Sequence, residues 1–291
     1  MDLTYWYLLP VAVVIASLAN GAGIGGATFF SPLFILALQL EPQVAIGTAL
    51  VTEVFGFASG VTAHARVRTI DWKVARLLAT ASVPAAIVGS LVAGIITPEI
   101  LKIVLGLGLL AIAITFVRHR GKEEMESQDA GIAMGEGVVE PSEKRVIVTR
   151  QGERIEYQLC RRHEGRWFAG LGGLFVGLIS TGLGELNSYA LIMRCRIPSR
   201  VTVSTSVVVV AVTALAASVT HLTGFLQEGA GTIETVLSLV AFTVPGVLIG
   251  GQLGPQITNR VPEKALIRFL GWLFLAVAAV TLGEVLLDRL G

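Results

Sequence analysis

The sequence predicts an all-α polytopic membrane protein of two inverted-topology repeats. Each repeat is a glycine-broken pair of short helices followed by three full spans, and a small β-hairpin lies outside the membrane in the central loop. Three observations predict this. The 291-residue chain is 53% hydrophobic and 15% charged, with a mean hydropathy of +0.74, far from soluble averages. Two glycine-rich polar breaks interrupt it, Asn20-Gly21-Ala22-Gly23-Ile24-Gly25-Gly26-Ala27-Thr28 and Ser180-Thr181-Gly182-Leu183-Gly184-Glu185-Leu186-Asn187. Landmarks of the first half also recur in the second in the same order.

The elements follow from apolar runs and their punctuation. A run from Tyr5 to about Leu18 ends at the first break, and another from Thr28 to Leu40 stops at Glu41-Pro42. At about 1.5 Å per residue each is short of a roughly 30 Å hydrocarbon core. No basic n-region precedes the first run, so it is expected to stay as part of the fold rather than to be cleaved. Full spans are expected at Gln43–His64, Lys73–Ile95 and Glu99–Val117, the last begun by Thr97-Pro98-Glu99: a cap, a first-turn proline and an acid for the dipole. Residues 118–164 change character. Arg145–Thr149 and Arg154–Leu159 alternate around Gln151-Gly152, which predicts a hairpin that must pack on the membrane domain or on a second copy in a homodimer. The second half, residues 165–291, has a run to about Ile179, the second break, a short piece from Leu186 to about Met193, and spans at Val201–Leu222, Ile233–Leu253 and Lys264–Leu287.

The repeat is read from offsets. Gly23-x-Gly25 recurs as Gly182-x-Gly184, 159 residues on. Val44–Leu50 recurs as Val201–Val207 and His64 as His221, both 157 on. Val83-Pro84 with Gly89 recurs as Val244-Pro245 with Gly250, 161 on, and Pro98-Glu99 as Pro262-Glu263, 164 on. Five matches in unscrambled order argue duplication of residues 1–117. Whether the short pieces turn back or cross, each half makes an odd number of crossings, so the copies are inverted and a site belongs at the midplane between them. Of the 22 Lys and Arg, all but Lys102 and Arg289 fall on one face, which the positive-inside rule makes cytoplasmic. The central loop is then cytoplasmic and both termini outside. Cys160 and Cys195 have no metal-ligand spacing and are expected to be thiols on a reducing side.

Unwound backbone in lipid must find internal partners or face a cavity, so two breaks point to one shared site. Helices starting near Ala27 and Leu186 would aim unpaired N–H groups inward, an anion site that needs no Lys or Arg. The candidate substrate-binding residues are Asn20, Gly21, Gly23, Gly25, Gly26 and Thr28 in the first break, and Gly182, Gly184, Asn187 and Ser188 in the second. Thr48 and Thr205, at matching points of the third pieces, are weaker candidates. The competing explanation of the glycines is close helix packing. Glu185 and Glu53 are acids at bilayer depth and candidate proton carriers; otherwise Glu185 accepts N–H bonds at its own helix start and Glu53 bonds a neighbouring helix. His64 and His221 are expected to bond helix termini. Neither a hydrolase elbow, a zinc-protease motif, a metal cluster nor a nucleotide loop is present, so no enzyme activity, cofactor or metal is expected, and the near-neutral charge gives no reason to expect nucleic acid.

Asn20–Gly26 with Pro32 after it, Gly182-Leu183-Gly184-Glu185, the Pro198–Ser206 segment and the two histidines at span ends resemble the sulfite exporter TauE/SafE family. The resemblance covers nearly the whole chain outside the central loop, with Glu185 where the family's commoner pattern has a glycine. It implies a bacterial or archaeal inner-membrane permease that moves sulfur-containing anions, such as sulfite or sulfonates, on an ion gradient. The expected function is secondary transport of a small sulfur anion by alternating access, with a coupling proton. The alternative is a cation or metal permease using the intramembrane Glu and Asn residues.

Overall fold

The computed structural model describes residues 3–22, 27–117, 144–158, 162–188, 190–191, 195, 197–228, 230–258 and 263–290. In chain order the helices of the first half are α1 (Leu8–Ala22), α2 (Ala27–Leu36), α3 (Pro42–Val67), α4 (Trp72–Ile95) and α5 (Pro98–Val117). Strands β1 (Lys144–Val148) and β2 (Arg154–Gln158) follow, then α6 (Arg162–Ile179), α7 (Leu183–Ser188), α8 (Ser199–Glu228), α9 (Ala230–Thr258) and α10 (Glu263–Leu290). Among the described residues α3, α4, α8 and α9 are long and apolar enough to cross a membrane. The ten residues of α2 and six of α7 extend only about 15 and 9 Å, so neither crosses one.

Local chemistry sets the helix ends. Pro42 opens α3 in its first turn, and Arg68 closes it in the left-handed region at φ 61°, its N–H returning to Ala65 and His64 carbonyls. Asp71 caps α4, one carboxylate oxygen accepting from the N–H of Lys73 at 2.9 Å and of Val74 at 3.1 Å. Two expected boundaries shift. α1 continues through Asn20 and Gly21 to Ala22, because Gly and Asn suit a helix's last turn and need not end it earlier. α7 begins at Leu183 and not near Leu186, because Ser180 and Gly182 reverse the chain at φ 58° and 103° and leave Gly184 and Glu185 inside the helix's first turn.

Helix contacts in one half are mirrored in the other. α1 packs on α9 as α4 packs on α6, α3 on α9 as α4 on α8, and α2 on α3 as α7 on α8; α3 pairs with α8 and α5 with α10. The α1–α9 and α4–α6 crossings are close enough that their glycines have no room for a side chain. Gly89 of α4 lies against the Leu174 carbonyl of α6, and Gly177 of α6 against the Ala86 carbonyl of α4. At the other crossing a Cβ on Gly250 of α9 would stand 2.5 Å from the Val13 carbonyl of α1, and Ser17 donates to the Gly250 carbonyl at 3.2 Å. Hydroxyl pairs tie the interior: Thr52 to Thr243 and Ser82 to Thr213, each at 2.8 Å, link α3 to α9 and α4 to α8. Apolar side chains point outward instead, among them Val88, Leu91 and Ile95 on α4 and Val212, Leu215 and Val219 on α8. A polar-bonded interior with an apolar exterior suits lipid, where packing and internal hydrogen bonds hold helices together.

The two strands pair antiparallel from Lys144↔Gln158 to Val148↔Arg154, with Gly152 at φ 82° in the turn. The hairpin packs on its own chain. Tyr157 donates to the second oxygen of Asp71 at 2.5 Å, Arg145 lies 3.8 Å from that oxygen, and the Arg150 N–H reaches the Val67 carbonyl at 3.0 Å. Arg200, at the start of α8, pairs with Glu153 at 2.8 Å. The hairpin, the α3–α4 turn and the start of α8 therefore meet at one end of the bundle. Cys195 is buried and disulfide-bonded, which corrects the thiol reading; that reading rested on cysteine number, spacing and compartment, none of which reports what lies nearby in the fold. Cys160 lies outside the described residues.

Burial, and then the adjoining Asp71 carboxylate, hold the Tyr157 phenol above its ordinary value, with Arg145 opposing. The folded state thus favours the neutral phenol. Its contribution is complete below about pH 10, the ordinary phenol value, and is lost as pH rises past it. Tyr157→Phe removes a bond to a charged group worth about 1.5–3 kcal/mol. The expected outcome is faster amide exchange across residues 144–158 with exchange in α3 and α8 little changed. Wild-type exchange in the hairpin would show that this bond does not dock it.

Candidate functional site

The second break is a three-residue turn built on two left-handed residues. Ser180 is the unusual one, since an L residue there costs about 1–2 kcal/mol, and its surroundings hold it. Its Oγ donates to the Ile179 carbonyl at 2.7 Å and is hydrogen-bonded to Ser31 Oγ of α2. Next to it, Thr28 Oγ1 in the first turn of α2 and Thr181 Oγ1 are 2.8 Å apart. The start of α2 and the turn that starts α7 are thus stitched together by two buried hydroxyl pairs. Phe29 stacks on Phe274 of α10, with centroids 4.7 Å apart, which holds the outer side of α2.

A cavity opens beside this junction. Its polar lining comes from Thr28, Glu53, Ser180, Thr181 and Ser206 together with Gly182 and Gly184, and its apolar wall from Phe57, Val176 and one face of α8. The cavity volume is about 30 Å³, where one water needs about 10–15 Å³, so the space fits a solute of a few heavy atoms. Glu53 is 5% exposed and Ser206 4% exposed. The described lining contains one carboxyl group and no Lys, Arg or His.

Several expected site residues meet here and others do not. Thr28, Gly182, Gly184 and Glu53 line the cavity. Asn187, in the last turn of α7, is fully buried, and neither its Oδ1 nor its Nδ2 has a hydrogen-bond partner. Thr48 is buried in α3 and donates to the Val44 carbonyl at 2.7 Å. Thr205 accepts from the Asp71 N–H at 3.1 Å, at the hairpin end of the bundle. Neither threonine is part of the described lining. Asn20 and Gly21 lie in the last turn of α1 and Glu185 and Ser188 in α7, but the side chains of Asn20, Glu185 and Ser188 are outside the described residues, as are Gly23, Gly25 and Gly26 altogether. His221 Nε2 donates to the Gly177 carbonyl at 3.0 Å, near the end of α6, the role expected of it; His64 Nδ1 instead meets Ser204 of α8 at 3.0 Å.

Ser180, Thr181 and Ser206 escape a reading that looks for glycines and repeat equivalents. A signal for Ser206 does exist: it interrupts the i, i+3, i+4, i+7 face Val203, Ser206, Val207, Val210, all four of which line the cavity.

The family model described as "Sulfite exporter TauE/SafE" matches residues 8–281. The chain belongs to the sulfite exporter TauE/SafE family. It is similar to two proteins of Bacillus subtilis (strain 168). One, described as "Probable membrane transporter protein YjnA", is 28% identical over 272 residues, covering 87% of this chain and 93% of that protein. The other, described as "Probable membrane transporter protein YunE", is 22% identical over 275 residues, covering 92% and 93%. No solved structure matches the chain. As a TauE/SafE-family protein with these apolar helices it is a multi-pass membrane transporter, and the TauE/SafE match runs through α2, α7 and the cavity between them.

A buried amide with no partner costs about 1–3 kcal/mol. Asn187→Leu keeps the volume and removes that cost. The protein should gain thermal stability, by a few degrees. A variant less stable than wild type without ligand would show that the amide has a structural partner.

Proposed function

We propose that this TauE/SafE transporter moves a small sulfur oxyanion or sulfonate by alternating access, and that the junction of α2 with the Ser180–Gly182 turn is its cradle. The observation that carries the reading is that two interrupted segments, one from each half, meet at buried hydroxyls beside a cavity of oxyanion size. Hydroxyl and backbone donors stabilise an anion without a basic group, as helix starts do generally. The reciprocal helix contacts and the glycine crossings of α1–α9 and α4–α6 support two inverted repeats, the architecture in which a central site faces each side of the membrane in turn. Lys and Arg concentrate around the hairpin end, which favours a cytoplasmic hairpin and outside termini.

Glu53 gives this reading its coupling. Two like charges about 4 Å apart repel by about 4 kcal/mol at an effective dielectric of 20, so an anion enters beside Glu53 far more readily when that carboxyl carries a proton. Anion and proton would then move together. Glu185 is the alternative carrier. The same carboxyl, lining the cavity beside the hydroxyls of Thr28, Ser180, Thr181 and Ser206, is also what favours the second reading, a cation permease.

Proteoliposome uptake of radiolabelled sulfite, with and without a pH gradient, and of sodium as the competing cargo, separates the two. Sulfite uptake driven by the pH gradient is expected. Glu53→Gln should flatten the pH dependence of that uptake while leaving the folded protein intact. Sodium uptake without sulfite uptake would replace the anion reading, and a wild-type pH profile in Glu53→Gln would pass the coupling role to Glu185.

A further inference from the structure

The hydroxyl protons at the cavity can be assigned one by one. Ser180 donates to the Ile179 carbonyl, so Ser31 must donate to Ser180, and that pair has nothing left to give. Between Thr28 and Thr181 only one proton is used, whichever way the bond runs, and the second is left over. Ser206 is different again. Its Oγ is buried with no partner, although it lines the cavity.

That last fact is unusual for a helical serine. On the same helix Ser204 donates to the Arg200 carbonyl at 2.8 Å, Ser218 to Ala214 at 2.7 Å and Thr220 to Ala216 at 3.0 Å, the ordinary i−4 arrangement for helical hydroxyls. Ser206 makes no such bond. Its neighbours on that face, Val203, Val207 and Val210, offer it nothing, so its bonding capacity is directed at whatever occupies the cavity.

We infer that Ser206 is a ligand-contacting residue, donating its O–H to an oxygen of the transported oxyanion, with the unused proton of the Thr28–Thr181 pair as the second hydroxyl donor. The inference rests on the anion reading above and extends it to α8. A bound oxyanion then bridges three segments: the start of α2, the turn before α7, and α8. Since α8 also packs on α3 and α4, occupancy couples the broken segments to full spans of both halves.

The test uses the full-length protein in detergent, with the dissociation constant for sulfite read from ligand-dependent thermal stabilisation, potassium sulfite against potassium chloride. Ser206→Ala should weaken sulfite binding by about ten- to a hundredfold, the usual effect of losing a donor to a charged acceptor. Ser206→Thr, which keeps the hydroxyl, should bind within a few-fold of wild type. Ser90→Ala is the control, because Ser90 Oγ is also buried without a partner but does not line the cavity, and it should bind as wild type. Unchanged sulfite affinity in Ser206→Ala overturns the assignment, as does equal weakening in Ser90→Ala. A response to sodium chloride that Ser206→Ala abolishes, with none to sulfite, makes Ser206 a cation ligand and also overturns it. If the wild-type protein shows no response to sulfite at all, the anion reading fails first, and a wild-type response that Ser206→Ala retains leaves that reading standing without Ser206.

Discussion

A backbone interrupted where water is scarce has to be bonded by something other than itself, and this constraint shapes the centre of the molecule. The turn through Ser180, Thr181 and Gly182 holds a left-handed serine, a strained choice outside glycine. It persists because Ser31 and Thr28 of α2 bond to Ser180 and Thr181 from the other half of the chain. Each broken segment completes the other. Separating them would leave the hydroxyls of Thr28, Ser31 and Thr181 without a partner in a low-dielectric interior, so the junction holds the halves together as well as shaping a cavity.

The surrounding helices cross closely at glycines. Gly89 and Gly177 let α4 and α6 approach at backbone distance, and Gly246 and Gly250 do the same for α9 and α1. Close packing therefore accounts for these four glycines. It does not explain Gly182, whose left-handed conformation makes the turn. Close packing and the reversal of the chain are divided between different glycines. At the hairpin end a second polar knot, Tyr157 with Asp71 and Arg145, joins the extramembrane strands to the cap of α4, so the hairpin holds the start of a span whose far half carries the glycine crossing.

The long helices are legible in the sequence because apolar runs bounded by Pro42, Asp71 and Pro98 admit few alternatives, and the observed helices keep to them within a few residues, apart from the far ends of α8 and α9, which run six past Leu222 and five past Leu253. The hairpin is legible from its alternation and from Gly152. Helix ends at the breaks are less so. Asn20 and Gly21 suit a helix's last turn as well as a loop, and only φ values show that the second turn is complete by Gly182. Repeat equivalence points to Thr205, but one residue on a helix is a rotation of about 100°, which puts Ser206 at the cavity and Thr205 on Asp71. The Tyr157–Asp71 bond spans 86 positions and has no local signal.

The central claim is that hydroxyls and backbone at the meeting of two broken segments, not basic side chains, hold the cargo. A structure of the full-length protein determined in the presence of sulfite tests it most directly. The account predicts density for a small oxyanion within hydrogen-bond distance of the Thr28–Thr181 pair and Ser206. Density for the anion against the arginines at the hairpin end, with the central cavity holding only water, would contradict it.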